Sequence, residues 1–482
     1  MKYLLLSFMV ILAGCGHPKH EPETPTSTYQ PFPAGYGYME NLPALQHAID
    51  TGDKAVIRAH GWKLWAGIMQ PDKQTGWPLW YSWPNTSAAF ATTPQQLATA
   101  GAVTQTQTTA NTAVSITQKN KRHVVNVNTN GPFYPVPQDV IKAYPQAIAQ
   151  TKDGPVVKDG KNFQSNGDIM IATESLSASA MTTIRKEQLY LAATLDKKHQ
   201  QGVKMLDMPK DFIVTKHMYW PVKAQGITAL PVWKNNYPPS YTDYAGYEIW
   251  DTVVGVDPSG QSVGQYKPVS AFYGIKQHDK VKNWPTRKTM ALVYGLDRFY
   301  FHKVTQQDWD NFNDADKAIL SAASYWLSNK AFEVGDYLIT VAMHVNTKEL
   351  PSWTLQSVWW SDEPDKGIYA ANRPAIPQAQ GPWRHYLMTD SYAVPPNAKG
   401  ELDIAVNPYI EGVIHPIATS CRNCHVRAGW PEGNTKGKAS YQNPDCPELL
   451  AYLTPKSQCL APLTLSDYLW IIPDRAVAPV SP

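Results

Sequence analysis

The chain has 482 residues, which is long enough to bury a large core in roughly two or three structural units. Hydrophobic residues make up 43% of it and charged residues 17%, which excludes an intrinsically disordered protein. The net charge of +3, without a basic run, gives no reason to expect nucleic acid as a partner. The 17 Trp, 26 Tyr and 40 Pro favour short strands and long ordered loops over a helical bundle.

The N-terminus, MKYLLLSFMVILAGCGHPKH, has the positive charge and the short apolar run of an export signal. Its LAGC sequence resembles a bacterial lipobox, which implies a signal peptide over residues 1–14 and lipidation of Cys15. An ordinary signal peptide with a chance cysteine is the alternative. Gly16 after the cysteine favours the outer membrane, and the Pro-rich residues 15–45 are predicted to be a tether. We therefore expect a lipid-anchored protein on the periplasmic side of a bacterial membrane.

Residues 46–400 are predicted to form one α+β domain with a mixed, largely antiparallel β core. The Ala/Thr/Gln-rich residues 86–118 are predicted to be a low-complexity insertion. Apolar periodicity predicts helices around residues 46–69, 174–202 and 314–329. Runs rich in β-branched and aromatic residues predict strands at residues 211–222, 247–256, 298–304, 336–347 and 353–360.

A lone CxxCH lies in TSCRNCHVRAGW, within a predicted C-terminal segment of residues 401–482 that packs on the same core. Two thiols spaced by two residues can add to the two vinyl groups of one haem, and a histidine directly after them can reach the iron. Cys421 and Cys424 are therefore predicted to attach haem c, with His425 as the proximal iron ligand. Zinc binding and other redox use of these thiols are the alternatives.

Two further cysteines bear on the zinc alternative. Cys446 and Cys459 are 13 residues apart, whereas structural zinc sites usually present their second ligand pair at short spacing. An oxidising compartment also favours pairing such thiols. We therefore predict a Cys446–Cys459 disulfide.

A distal iron ligand, if present, must come from upstream, because no Met follows His425. This ligand count excludes a class I cytochrome c fold unless the iron has no sixth protein ligand. His344 is the first candidate, and Met388 in PWRHYLMTD is the second. Strand alternation predicts that one face is formed by Leu338, Thr340, Ala342, His344 and Asn346. Met343 is predicted to point to the opposite face. The weaker candidates are His60, His217, His302, His385 and His415, and the position could also hold no protein group.

The chain as a whole resembles exported bacterial cytochrome c family proteins of unknown function. The resemblance runs in order through RAHGWKLWAGI, IRKEQLY, KHMYWPVKA, HVNTKELPSWTLQSVWWSDEP and NPYIEGVIHPIATSCRNCHVRAGWP, over most of residues 55–430. It implies a single mixed-fold architecture with a C-terminal segment that carries one covalent haem c. It does not supply a substrate.

Three functions follow from these predictions. A six-coordinate iron makes the protein a monohaem cytochrome for periplasmic electron transfer with an unidentified redox partner. An open sixth position makes it a peroxidase-like haem oxidoreductase, with Arg58 or Arg384 near the pocket. A binding protein with an aromatic surface is the third. Electron transfer is preferred because no flavin, nucleotide or second metal motif is present, but whether the protein is an enzyme stays open.

Overall fold

The computed structural model describes residues 30–73, 76–92, 136–151, 154–157, 171–234, 250, 252–271, 287–377, 379, 381–405, 407–410, 420–431, 446 and 451–476. The predicted signal peptide, Cys15 and most of the low-complexity segment lie outside these ranges.

The described ranges contain ten α-helices: α1 (Leu42–Thr51), α2 (Lys54–Ile68), α3 (Thr86–Ala89), α4 (Gln138–Ala143), α5 (Ala178–Lys186), α6 (Ala192–Gln200), α7 (Gln306–Asn311), α8 (Asp314–Ser328), α9 (Cys421–His425) and α10 (Ile471–Arg475). Short 3₁₀ helices lie at Leu79–Ser82, Pro145–Ala147, Leu296–Arg298, Ile368–Ala370, Gly381–His385 and Gln458–Leu460. None of the helices in this part of the chain has both the length and the hydrophobicity of a bilayer span.

The strands in the same ranges are β1 (Ile148–Thr151), β2 (Gly154–Val157), β3 (Ile171–Leu176), β4 (Ile213–Val222), β5 (Thr228–Val232), β6 (Thr252–Val256), β7 (Tyr266–Ala271), β8 (Arg287–Tyr294), β9 (Phe301–Lys303), β10 (Tyr337–Thr347), β11 (Thr354–Trp360), β12 (Tyr386–Tyr392), β13 (Gly429–Trp430) and β14 (Thr464–Leu465). Each of the five predicted strand segments contains one of them.

The main sheet has the strand order β12-β11-β10-β4-β3, and β9 pairs with the start of β10. A second sheet has the order β5-β6-β8-β7. Two separate strand pairs, β1-β2 and β13-β14, complete the described strands. Every pair is antiparallel except the short contact between β6 and β8. The predicted class, mixed α+β with largely antiparallel strands, is confirmed.

A β-bulge in β10 corrects the predicted strand face. Thr340 pairs with Tyr219, but Ala342 pairs with Met218, the next residue of β4, so the register shifts between them. Because neighbouring residues of β4 point to opposite faces, the bulge turns the alternation over. Leu338 and Thr340 therefore face one side of the sheet, whereas Ala342, His344 and Asn346 face the other.

The two faces of the main sheet carry different layers. On one face, Met388 of β12 packs against Gly61 of α2, since a Cβ added to that glycine would lie 3.1 Å from the Met388 Sδ. On the other face, Val214 of β4 belongs to a buried apolar cluster with Val426 and Ile472 of the C-terminal segment. The sheet therefore separates the α2 layer from the layer that contains the CxxCH.

Two predicted segments differ from the structure. The helix predicted over 174–202 begins instead as β3, and α5 and α6 then follow with a turn between them. Gln188 in that turn has φ +52° and Leu189 is buried, so the chain turns to bring this leucine into the core. Residue 30 onward of the predicted tether also packs against the main core, through the aromatic side chains of Phe32, Tyr36 and Tyr38.

Candidate functional site

The CxxCH forms one short helix, α9, whose side chains alternate in exposure. Cys421, Cys424 and His425 are partly exposed, whereas Arg422 and Asn423 between them are buried. Spacing of three and four residues places the first group on one side of a helical turn. The two thiols and the imidazole are therefore presented together.

The N-terminus of α9 rests on β12 and on the preceding loop. The Ser391 Oγ accepts a hydrogen bond from the Arg422 backbone N–H at 3.0 Å, and it lies 3.4 Å from the Ser420 Oγ. The Cys421 N–H donates to the Ala405 carbonyl at 3.0 Å. These contacts fix the first cysteine relative to the main sheet.

The orientation of His425 is set by a backbone carbonyl. Its Nδ1 lies 2.7 Å from the Tyr468 carbonyl oxygen, which can only accept, so Nδ1 carries the proton. In the neutral ring this bond leaves Nε2 as the nitrogen without a proton. A histidine ligand held through its other ring nitrogen by a carbonyl is the usual arrangement in protein metal sites.

Two buried arginines, in α9 and just after it, bind backbone carbonyls of the segment that follows. The Arg422 Nη1 donates to the Leu453 carbonyl at 2.7 Å, and the Arg427 Nη1 donates to the Cys446 carbonyl at 2.6 Å. Burial lowers the pKa of the Arg427 guanidinium, and the nearby Cys424 opposes this shift. Both arginines therefore connect the CxxCH to the segment that contains the remaining cysteines.

Cys446 and Cys459 lie at disulfide distance, with Cα atoms 5.6 Å apart. This geometry agrees with the predicted bridge. Bridged cysteines cannot act as zinc ligands, so the zinc alternative loses two of its four possible thiol ligands. Among the described residues, no group of three or more His, Cys, Asp or Glu side chains is arranged to hold a metal ion. The potential donors of α9 itself are the thiols of Cys421 and Cys424 and the imidazole of His425.

A row of side chains crosses the sheet face that α9 packs on. Strand pairing places its members side by side: Glu174, Lys216, His344, Ser357 and Thr389. The C-terminal segment borders this row at both ends. At one end Arg475 of α10 binds Glu174 with 3.1 and 2.7 Å hydrogen bonds, and at the other Ser391, two residues beyond Thr389, supports α9.

The middle of this row is its least buried part. Lys216 and His344 are partly exposed, although every other residue of 213–222 and 338–347 is buried. His344 lies two strands and two residues from Ser391, so their Cα atoms are about 12 Å apart at ~4.8 Å per strand and ~3.4 Å per residue. His344 therefore lies on the same sheet face as Ser391, which contacts the N-terminus of α9.

The structure does not place Met388 on the sheet face that carries His344. Met388 pairs with Val358 and points to the α2 face, where its sulfur meets Gly61. Arg58, predicted near a haem pocket, lies in the same α2 layer and binds Asp390 at 2.9 Å. The thickness of the sheet thus separates both side chains from α9.

The weaker histidine candidates have partners away from α9. His217 is fully buried on the α2 face, stacked on Trp80 with ring centroids 3.3 Å apart, and burial together with His344 holds its pKa well below the ordinary value. The other described candidates are His60, which binds Tyr392, His302, which binds Asp308, and His385, which contacts Arg298. His415 lies outside the described residues, as do residue 406 and the rest of residues 411–419.

Three residues of this site have no motif in the sequence: Lys216, Ser391 and Tyr468. Tyr468 is 43 residues from His425 and acts through its backbone, so no side-chain pattern could have indicated it. Lys216 could have been found only from the pairing of β4 with β10, because it lies beside His344 in that register.

Comparisons with protein-family models, curated proteins and solved structures give no match for the chain. The resemblance to cytochrome c family proteins therefore stays a prediction from the sequence.

Proposed function

We propose that the protein is a lipid-anchored monohaem c-type cytochrome for periplasmic electron transfer. The observation that supports the proposal is that the CxxCH packs on the sheet face that carries the partly exposed His344. Two thiols and a histidine in this spacing are the residues that a covalent haem needs, and His344 offers a second imidazole on that face. When bound, the haem supplies a one-electron redox couple.

Each residue has a defined part in this proposal. Cys421 and Cys424 hold the haem by thioether bonds, and His425 binds the iron through Nε2 because its Nδ1 is engaged by the Tyr468 carbonyl. His344 would be the second iron ligand if the haem lies between α9 and the sheet. Apart from Lys216 and His344, the residues of 213–222 and 338–347 are buried, which limits the water that reorganises when the charge changes.

Replacement of the distal histidine tests the coordination. We expect the reduced wild-type protein not to bind carbon monoxide, since both axial positions are filled. His344→Ala removes one ligand and should give a carbon monoxide spectrum with the covalent haem retained. Absorption spectra of the reduced protein with and without carbon monoxide measure this difference.

Met388→Leu is the matched control, because it removes the other candidate sulfur with little change of volume on the far face. It should leave the spectra as in the wild type. If Met388→Leu gains carbon monoxide binding and His344→Ala does not, the distal assignment is wrong. Carbon monoxide binding by the wild type would favour the peroxidase-like oxidoreductase instead.

The membrane anchor is a separate part of the proposal and rests on the LAGC sequence before Cys15. We expect radiolabelled palmitate to enter the wild-type protein and its Cys421→Ala variant, but not Cys15→Ala. The lipidated forms should also partition into a detergent phase. Equal labelling of Cys15→Ala would contradict lipidation at this residue.

A further inference from the structure

A buried ion pair lies directly behind the carbonyl that orients His425. The Lys348 Nζ is 2.7 Å from the Asp467 Oδ1, and both side chains are almost fully buried. Asp467 also accepts hydrogen bonds from the Trp353 Nε1 at 3.2 Å and from the Met208 backbone N–H at 3.0 Å. One carboxylate is therefore held by three donors, two from the connection between β10 and β11 and one from the segment before β4.

These donors stabilise a turn whose backbone conformation is unfavourable for residues with a Cβ. Asp467 has φ +53° and Tyr468 has φ +67°, the left-handed region that side chains with a Cβ rarely adopt. Two consecutive residues in this region persist only where surrounding contacts fix them. The contacts of the Asp467 carboxylate provide that constraint, and the turn directs the Tyr468 carbonyl at His425.

The ion pair also connects the turn to the strand that bears the distal histidine. Lys348 directly follows β10, four residues after His344, and its backbone N–H donates to the Phe212 carbonyl beside β4 at 3.0 Å. His344 is thus part of β10 itself. His425 is connected to the end of β10 through Lys348, Asp467 and the Tyr468 carbonyl.

From this arrangement we infer that Lys348 and Asp467 are positioning residues that fix the tautomer and orientation of His425 as an iron ligand. The inference rests on the proposed haem function. A strong hydrogen bond from Nδ1–H raises the basicity of the imidazole, which stabilises the oxidised iron. Loosening the Asp467 turn weakens that bond and should raise the reduction potential.

Asp467→Asn and Lys348→Met test the inference in the holoprotein. Both should shift the reduction potential in the positive direction and alter the electron paramagnetic resonance spectrum, which depends on the axial imidazole orientation. Lys348→Arg keeps the charge and the donors, so it should restore wild-type values. If Lys348→Met fails to fold, Asp467→Asn, which conserves shape, still provides the measurement.

Lys223→Met is the matched control. The Lys223 Nζ forms a similarly buried pair with the Asp336 Oδ2 at 2.6 Å, and it contacts the Ala331 carbonyl, far along β4 from the haem segment. It should lower stability without moving the potential. A potential unchanged in Asp467→Asn and Lys348→Met, or shifted equally in Lys223→Met, would overturn the inference.

A readout without haem separates this inference from the proposed function. In a Cys421→Ala, Cys424→Ala background, ¹⁵N NMR of His425 should show the proton on Nδ1, and added Asp467→Asn should populate both tautomers. Absence of haem from the wild-type protein would refute the proposed function but leave this measurement valid. An unchanged tautomer in the Asp467→Asn protein would refute the positioning role alone.

Discussion

Replacement of both Cys421 and Cys424 by alanine is expected to abolish covalent haem completely. The two thioether bonds would be the only covalent links between chain and cofactor, so a denaturing gel stained for haem should lose its band at this molecular mass. Each single variant retains one thiol on the same helical turn, and it should keep a weaker band. Pyridine haemochrome spectra measure the number of vinyl groups that have reacted.

Cys446→Ser with Cys459→Ser is the control, since it removes the other thiols of the C-terminal segment. Its denatured chain should still stain for haem. Staining that survives in the Cys421→Ala, Cys424→Ala protein would show that haem is attached elsewhere or not by cysteine. Absence of staining in the wild type would remove the basis of the cytochrome proposal.

Local secondary structure was predictable from the sequence because its signals are short. The CxxCH lies on a helical turn, α9, as predicted, and haem attachment there stays a prediction. The runs that became β4, β10 and β11 could be identified by β-branched and aromatic residues. In each case neighbouring residues carry the information that fixes the element.

Features that depend on pairing between distant strands were not predictable. Alternation along β10 correctly grouped His344 with Ala342 and Asn346, but it placed Leu338 and Thr340 with them because the bulge has no signature in the sequence. Met388 was plausible by residue type alone. Only the register β10-β11-β12 shows that its sulfur and His344 lie on opposite faces.

The large sheet also explains why a proposed electron carrier needs more than a small haem domain. In the proposed cytochrome, a distal ligand would have to come from another part of the chain, because no methionine follows His425. β10 lies at the centre of the main sheet, paired along its length on both sides, and it is therefore a rigid support for His344. Sites built on central strands hold ligand geometry more tightly than sites on loops.

Removal of the predicted disulfide should markedly lower the stability of the C-terminal segment that contains the CxxCH. Cys446 and Cys459 are separated by 13 residues, and a bridge closing a loop of this size stabilises a protein by about 3 kcal/mol in the chain-entropy estimate. The Cys446 carbonyl also accepts the 2.6 Å hydrogen bond from Arg427 behind α9. Loss of the bridge therefore loosens the layer that supports the CxxCH as well as the loop itself.

The free energy of unfolding in denaturant measures this effect. Cys446→Ser with Cys459→Ser should lower it by about 3 kcal/mol. The parent protein for this comparison carries Cys421→Ala and Cys424→Ala, because these changes prevent thiol exchange with the CxxCH. Reductant should destabilise that parent to the level of the serine variant and leave the variant unchanged. A parent equally stable with and without reductant would mean that the two thiols are not bridged, and it would return them to the pool of possible metal ligands.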